Sequence, residues 1–532
     1  MKKISLGVLI LVITTISLFL RFYKLETIPA GFHADGASQG YNAFSLLQTG
    51  KDRYEQSYPI LFRAFGYYQP PLYTYLTIIP VAILGNTVFA ARSLSAFSGL
   101  ILVLITYLFL LIIFNRQPQR IFIALIGALT LSLAPWAVFF SRLTIEANLG
   151  LTIFVTSIVL FLLSLRKKYL FLLACLLLGL STHAYYSERL ISVIFLPIFI
   201  ILFRDKFRQN IKFIILGLII FFITQVPHLL VLQSGALTNR FFQVGYLQSS
   251  SLWSLISTFL NNYLIYFSPF NLFFDSDTNL GRTMPGLSVF YGWMLIPLLF
   301  GLQFCLKNRS SDGLKIILVL LIITPIPAGL TGDFFYPLRT LGFLWVLTLI
   351  ISLGIYKIYD LINSKRRALL LSVLIICYSF FSLYVSYFVL FKYEKSINYG
   401  YPYIALMDVL KKYQDKHIVI DSARDPGIGV RLAYFKEHDP KRIQQQLKSQ
   451  MKTNYYSAIF EGYDRYVIDN LEIKPINWGD DCIENLIMIG DDQAIGGREA
   501  ELHKLTLEFE VKDLSGKVAL RGYSTNPKEK CQ

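Results

Sequence analysis

The chain has 532 residues, 54% of them hydrophobic and only 16% charged, with a mean hydropathy of +0.52. Soluble globular chains carry about 25% charged residues, so this composition excludes an ordinary soluble domain and points to a polytopic helical membrane protein. The net charge of +16 is no nucleic-acid footprint, because the basic residues fall in short loops between apolar runs, where they report topology.

The first apolar run, residues 4–20, follows Met1-Lys2-Lys3 without a small-residue cleavage site. It reads as a retained first helix, with a signal anchor as the alternative. A loop over about 21–71 comes next. In it, Gly31-Phe32-His33-Ala34-Asp35-Gly36 sets a carboxylate beside a histidine at the membrane mouth, where ionisable groups are usually functional. Residues 73–84 are too short to cross a core of about 30 Å and read as re-entrant or interfacial. The run 90–114 spans, and it is the first of ten further hydrophobic segments.

Every second loop is basic: Arg116 and Arg120; Arg166, Lys167 and Lys168; Arg204, Lys206, Arg208 and Lys212; Lys307, Arg309 and Lys315; Lys357, Lys365, Arg366 and Arg367. Lys2 and Lys3 share that parity. The positive-inside rule makes these loops cytoplasmic and predicts about 11 transmembrane helices, N-terminus in and C-terminus out. The opposite loops combine acids, arginines, histidines and aromatics at helix ends. They hold His33 and Asp35, then Tyr68, then Arg142 and Glu146, then His183, Tyr186, Glu188 and Arg189, then Asp277 and Arg282, and finally Arg339. Each residue alone reads equally well as an interfacial anchor or a local ion pair, Arg142 with Glu146 and Glu188 with Arg189. Five such loops on one side favour a site.

Beyond about residue 391 the apolar runs stop. Residues 403–412 read as an amphipathic helix and His417-Ile418-Val419-Ile420-Asp421 as a buried strand. Asp439-Pro440 opens a polar helix, with strands over 463–468, 485–489, 505–511 and 517–523. The expected organisation is a transmembrane domain over 1–391 and a small extracytoplasmic α/β domain over 392–532. The five cysteines show no metal or redox spacing, and Asp275 and Asp277 lack the twelve-residue spacing of a calcium loop.

A set of ordered motifs carries a family resemblance: Arg21-Phe22-Tyr23-Lys24-Leu25, Gly31-Phe32-His33-Ala34-Asp35, Gly40-Tyr41-Asn42-Ala43, Tyr68-Gln69-Pro70-Pro71-Leu72, Ala134-Pro135-Trp136, Ser141-Arg142, Glu146-Ala147-Asn148, Tyr185-Tyr186, Glu188-Arg189 and Pro337-Leu338-Arg339. The chain resembles the prokaryotic family 39 glycosyltransferases, relatives of the protein O-mannosyltransferases and of the aminoarabinose transferases of lipid A. The resemblance implies the type C membrane fold. It also implies transfer of a hexosyl or pentosyl group, with inversion, from a polyprenyl-phosphate carrier to a protein, lipid or envelope-polymer acceptor on the outer face of the plasma membrane. The family's catalytic carboxylate matches Asp35. Two positions depart from the family: Gly36 stands where a second acid is usual, and Gln69 where many relatives carry a basic residue.

Such chemistry needs a base for the acceptor, cations or dipoles for the leaving phosphate, and a groove for the lipid. Asp35 is the expected base, with a helix N-cap or a partner for Lys24 or Arg53 as its bland alternative. Arg339 and Arg189 suit phosphate oxygens, Arg142 and Arg282 less so. His33, Tyr68, Glu146, His183, Tyr186, Glu188 and Asp277 are further substrate-binding candidates. No cofactor is assigned, and a divalent cation is left open. The competing readings are a transporter or flippase of a lipid-linked substrate, and an inactive relative that binds lipid-linked sugar.

Overall fold

The computed structural model describes residues 6–246, 251–275, 284–457 and 464–530. Two compact units divide the chain. The first is Met1–Tyr23, Ser93–Leu230 and Arg240–Phe388; the second is Lys24–Arg92, Val231–Asn239 and Val389–Gln532. The second unit thus draws the first loop and the tail into one body.

Among the described residues six helices are long and apolar enough to cross a membrane: Val88–Ile113, Glu146–Ser164, Arg204–Leu230, Asp312–Gly329, Pro337–Leu361 and Lys365–Glu394. The pair Arg120–Leu133 and Pro135–Ser141, bent by 60°, is a seventh if counted as one span. The bend follows from Pro135, which holds the preceding Ala134 in extended backbone (φ −63°, ψ 126°) and starts the next helix. In the first unit, Leu341–Leu361 is buried along most of its length. Its Trp345 indole donates to Thr106 Oγ1 at 2.9 Å, and the Trp136 indole donates to its Thr348 Oγ1 at 3.2 Å. Gly354 and Gly301 let this helix touch Leu295–Lys307 backbone to backbone, since a Cβ on either would collide with a carbonyl of the other helix. Small residues serve this close approach in membranes, where burying apolar surface drives nothing.

In the second unit, two strands of the first loop, β1 (Phe62–Ala64) and β2 (Tyr67–Gln69), form an antiparallel hairpin. A six-stranded mixed sheet is built from β3 (Ile418–Asp421), β4 (Tyr466–Ile468), β5 (Leu471–Lys474), β6 (Ile487–Gly490), β7 (Thr506–Lys512) and β8 (Val518–Ser524), in the order β4-β5-β3-β6-β8-β7. Central β3 pairs in parallel with β5 and β6. Its Ile418, Val419 and Ile420 are all buried, which is why it reads as a continuous apolar run rather than an alternation. Edge strand β7 carries exposed Glu508 and Lys512, charges that discourage further pairing. The helices Tyr401–Leu410, Ile428–Phe435 and Pro440–Gln450 accompany the sheet, the last with Asp439 capping the Lys441 N–H. Phe32, Tyr41, Tyr54 and Tyr68 of the first loop share one apolar core with Leu406, Ile418, Leu432 and Tyr466 of the tail.

The sequence reading missed the helix Ala34–Thr49, the hairpin and β5. Three- and four-residue strands are too short to show a period of two.

Candidate functional site

Two buried arginines fix the backbone that leads to Asp35. Arg92 donates to the carbonyls of Leu25, Glu26, Pro29 and Gly31 at 2.9, 3.1, 3.1 and 2.7 Å. Arg431 donates to Phe32 O at 2.9 Å while its other arm pairs with Asp425 at 2.6 Å. Gly31, at φ +92°, lies against the backbone of Tyr399 and Tyr401 where no Cβ fits. His33 then caps the helix Ala34–Thr49, its Nδ1 accepting the Asp35 N–H at 3.3 Å. Asp35 Oδ2 is 3.5 Å from that nitrogen. In this geometry the ring nitrogen that accepts the Asp35 N–H serves as the helix cap.

Helical spacing places Asp35, Ser38, Asn42 and Ser45 on one stripe, and that stripe organises the loop. Tyr67 O–H donates to Asp35 Oδ1, as does Gln69 Nε2 at 3.2 Å. Ser38 O–H donates to Gln69 Oε1 at 3.0 Å and accepts from Arg53 at 2.6 Å. Asn42 Oδ1 accepts the Arg53 N–H at 3.2 Å, and Ser45 donates to Lys51 O at 2.8 Å. Arg53, fully buried, thus reaches Asp35 through Ser38 and Gln69 rather than directly. The Asp35 side chain keeps 35% of its surface exposed, so it is oriented on one side and open on the other. The Gly40-Tyr41-Asn42 motif serves this frame too, with Gly40 against the Tyr434 ring and Tyr41 O–H donating to His438 O at 2.8 Å.

The hairpin alternates as strands must. Tyr67 and Gln69 face Asp35, and Tyr68 between them is buried, its hydroxyl donating to Tyr455 O and, at 2.6 Å, to Ser457 O.

In the first unit the other candidates gather at helix N-termini. Glu146 lies in the first turn of Glu146–Ser164, and Tyr186, Glu188 and Arg189 in that of Tyr186–Leu202. Ser187 O–H donates to Arg339 O at 3.0 Å, joining the latter helix to the Pro337–Thr340 turn. Tyr185, buried just before that helix, meets the Tyr186 ring edge to face at 5.8 Å. Arg339 pairs with Asp333 at 2.5 Å and lies over the Tyr336 ring. Among the described residues, Arg339 Nη1 and Glu188 Oε2 are buried polar atoms with no hydrogen-bond partner. Such groups are rare in a finished interior. Arg189 lies over the Tyr186 ring and donates to Thr182 O at 3.2 Å; Glu188 does not pair with it. His183 holds Thr224 O at 2.6 Å and stacks on His228 with ring centroids 4.0 Å apart. Arg142 is buried elsewhere, donating to Leu20 O and Tyr23 O at 3.0 and 2.8 Å beneath the rings of Tyr387 and Phe388. Asp277 and Arg282 lie outside the described residues.

Among the described residues no three His, Cys, Asp or Glu side chains come together to hold a metal. Sequence reading missed Arg92, Arg431 and Tyr455. An arginine inside the apolar run 90–114 was the one available signal, because a buried cation there must find acceptors.

No known family profile matches the chain, and no curated protein matches it. Solved structures do. ArnT from Cupriavidus metallidurans in the apo state aligns at 12% identity over 98% of each chain with a TM-score of 0.60. The same protein bound to undecaprenyl phosphate aligns at 11% identity over 96% of this chain and 97% of that one, TM-score 0.58. The Archaeoglobus fulgidus oligosaccharyltransferase in its apo form reaches only 0.47, at 12% identity over 99% of this chain and 75% of its own, too loose a likeness to carry weight. The chain has the fold of ArnT, in line with the fold that the resemblance of its motifs implied.

Proposed function

We propose that the protein is a multi-pass membrane glycosyltransferase that moves a sugar from a polyprenyl-phosphate carrier to an acceptor on the outer face of the membrane. The observation that carries this reading is Asp35, oriented by Tyr67 and Gln69 yet open to solvent, in a chain with the fold of a protein that binds undecaprenyl phosphate. Asp35 accepts the proton of the acceptor nucleophile as that atom attacks the anomeric carbon. The bond from that carbon to the phosphate oxygen breaks on the opposite side, so configuration inverts. Arg339 and Arg189, with the N-terminal dipoles of their helices, stabilise the departing phosphate. His33, His183, Tyr186, Glu146 and Glu188 are assigned to hydroxyl groups of sugar or acceptor, and Asp277 and Arg282 remain proposed contacts. Tyr68 and Arg142 we assign to the scaffold.

The proposed topology has eleven spans, N-terminus in and the 392–532 domain outside. It is supported by adding the shorter helices Leu6–Phe22, Leu170–Ser181, Tyr186–Leu202 and Gly292–Lys307 to the seven already described.

The test is transfer of radiolabelled sugar from membrane-extracted polyprenyl-phosphate donors, wild type against Asp35→Asn at matched expression. Loss of about a hundredfold or more in the variant is expected. Equal transfer by both would remove Asp35 from the chemistry. Silence of the wild type across donors and acceptors would favour the transport or binding readings.

A further inference from the structure

The tail of the second unit reaches the back of the Asp35 hairpin through two consecutive tyrosines. The Tyr455 hydroxyl donates to Asp52 Oδ2 at 2.5 Å, accepts the Arg63 N–H at 3.0 Å and lies 3.2 Å from Leu61 O. The Tyr456 hydroxyl accepts the Ile60 N–H at 2.8 Å. The Tyr68 hydroxyl returns from β2 to the carbonyls of Tyr455 and Ser457. The rings interlock as well: Tyr455 meets Tyr456 edge to face at 4.9 Å, Tyr68 at 6.3 Å and Tyr54 at 6.4 Å. Just beyond, Tyr54 O–H donates to Asp464 at 2.5 Å.

A two-stranded hairpin of three residues per strand is not stable by itself. Its own ladder cannot fix Tyr67 and Gln69 to the few tenths of an ångström that orienting a carboxylate requires. Strand alternation supplies the answer. Tyr68, between those two, and the β1 backbone opposite are held from the far side by the tail.

We propose that residues 454–457 of the tail form a clasp that positions the catalytic carboxylate, with Tyr455 as its central positioning residue. The clasp grips Ile60, Leu61, Arg63 and Tyr68 and so holds Tyr67 and Gln69 against Asp35. The proposal rests on the glycosyltransferase reading above and gives the tail a role in it. Tyr455 touches no reacting atom; it acts through the hairpin.

The test uses the full-length protein in lipid nanodiscs and two measurements. Amide exchange over residues 60–69, read by mass spectrometry, should quicken in Tyr455→Phe, and less strongly in Tyr456→Phe, which keeps the experiment decisive if the first variant folds poorly. Steady-state transfer per folded enzyme should fall about tenfold in kcat for Tyr455→Phe, with KM for the donor changed by less than about twofold. In a Tyr67→Phe, Gln69→Ala background, where the hairpin has already released Asp35, Tyr455→Phe should cost less than about twofold more. Unchanged exchange in both tyrosine variants overturns the clasp. Quickened exchange with the same kcat loss in both backgrounds overturns its action through Asp35. A wild type that transfers nothing overturns the function reading instead, while exchange still decides whether the tail holds the hairpin.

Discussion

Asp52 sits where burial and hydrogen bonding oppose each other most directly. Its side chain is fully buried and accepts the N–H groups of Tyr54 and Gln56, each at 2.9 Å, besides the Tyr455 hydroxyl. Burial dominates and pushes its carboxyl up to about 6, from an ordinary value of 3.8, against the pull of those donors and of Arg53. The folded state therefore holds the Asp52 proton more tightly than the unfolded chain. Its stabilising contribution is complete below 3.8 and is lost as pH rises through about 6, a swing of about 3 kcal/mol. Asp52→Asn does not titrate, so its melting temperature relative to wild type should climb between about pH 4 and pH 7. A constant difference across that range would mean the carboxyl is not buried as described. Nothing in the sequence singles out Asp52, because its burial depends on Tyr455, 403 positions away. Asp35 stands out as a candidate in the sequence because an acid beside a histidine at a membrane mouth is chemically conspicuous. What orients it was not legible: Gln69 reads as a departure from a family pattern until its amide is seen bridging Ser38 and Asp35.

At the scale of elements, the approach to Asp35 depends on one turn. Gly31 combines a φ of +92° with backbone of Tyr399 and Tyr401 occupying the space a side chain needs. Gly85 has a similar φ of +77° but nothing within 4 Å. Gly31→Ala therefore suffers both backbone strain and a collision with atoms that cannot swing aside, and should cost about 3 kcal/mol or more. Gly85→Ala suffers the strain alone, about 1–2 kcal/mol. Thermal melting of the purified variants separates the two, and equal losses would mean that the Tyr399–Tyr401 approach is not close. The helix Ala34–Thr49 escaped the sequence reading because Gly36 and Gly40 lower its propensity and its buried stripe is polar, the reverse of the usual amphipathic pattern. Asp35, Ser38, Asn42 and Ser45 repeat at helical spacing. That signal is readable only once polar residues are allowed to face inward. The tail was clearer: Asp439-Pro440 marks a helix start and Ile418 to Ile420 a buried strand, both through local chemistry that tertiary context did not override.

At the scale of the whole molecule, composition separates the apolar helices from the C-terminal sheet, and the change near residue 391 is visible in the sequence. What composition does not reveal is that the loop 24–92 packs with that sheet in one unit. Long-range packing of this kind leaves no local periodicity. Orientation is a separate matter, carried by charge. Arg366 is exposed in the first turn of Lys365–Glu394, beside Lys365 and Arg367 and across the short connection from Leu341–Leu361 with its Lys357, and Lys517 is exposed in the turn between β7 and β8. The positive-inside rule puts that basic helix start in the cytoplasm and the proposed topology puts the β7–β8 turn outside. In intact cells, a membrane-impermeant thiol reagent should then label Lys517→Cys and leave Arg366→Cys unlabelled until the membrane is opened. Labelling of Arg366→Cys alone would invert the topology and place Asp35 on the cytoplasmic side, where an outer-face acceptor could not meet it. Labelling of both in intact cells would mean an odd number of spans does not separate the two positions, and the count of eleven would have to change.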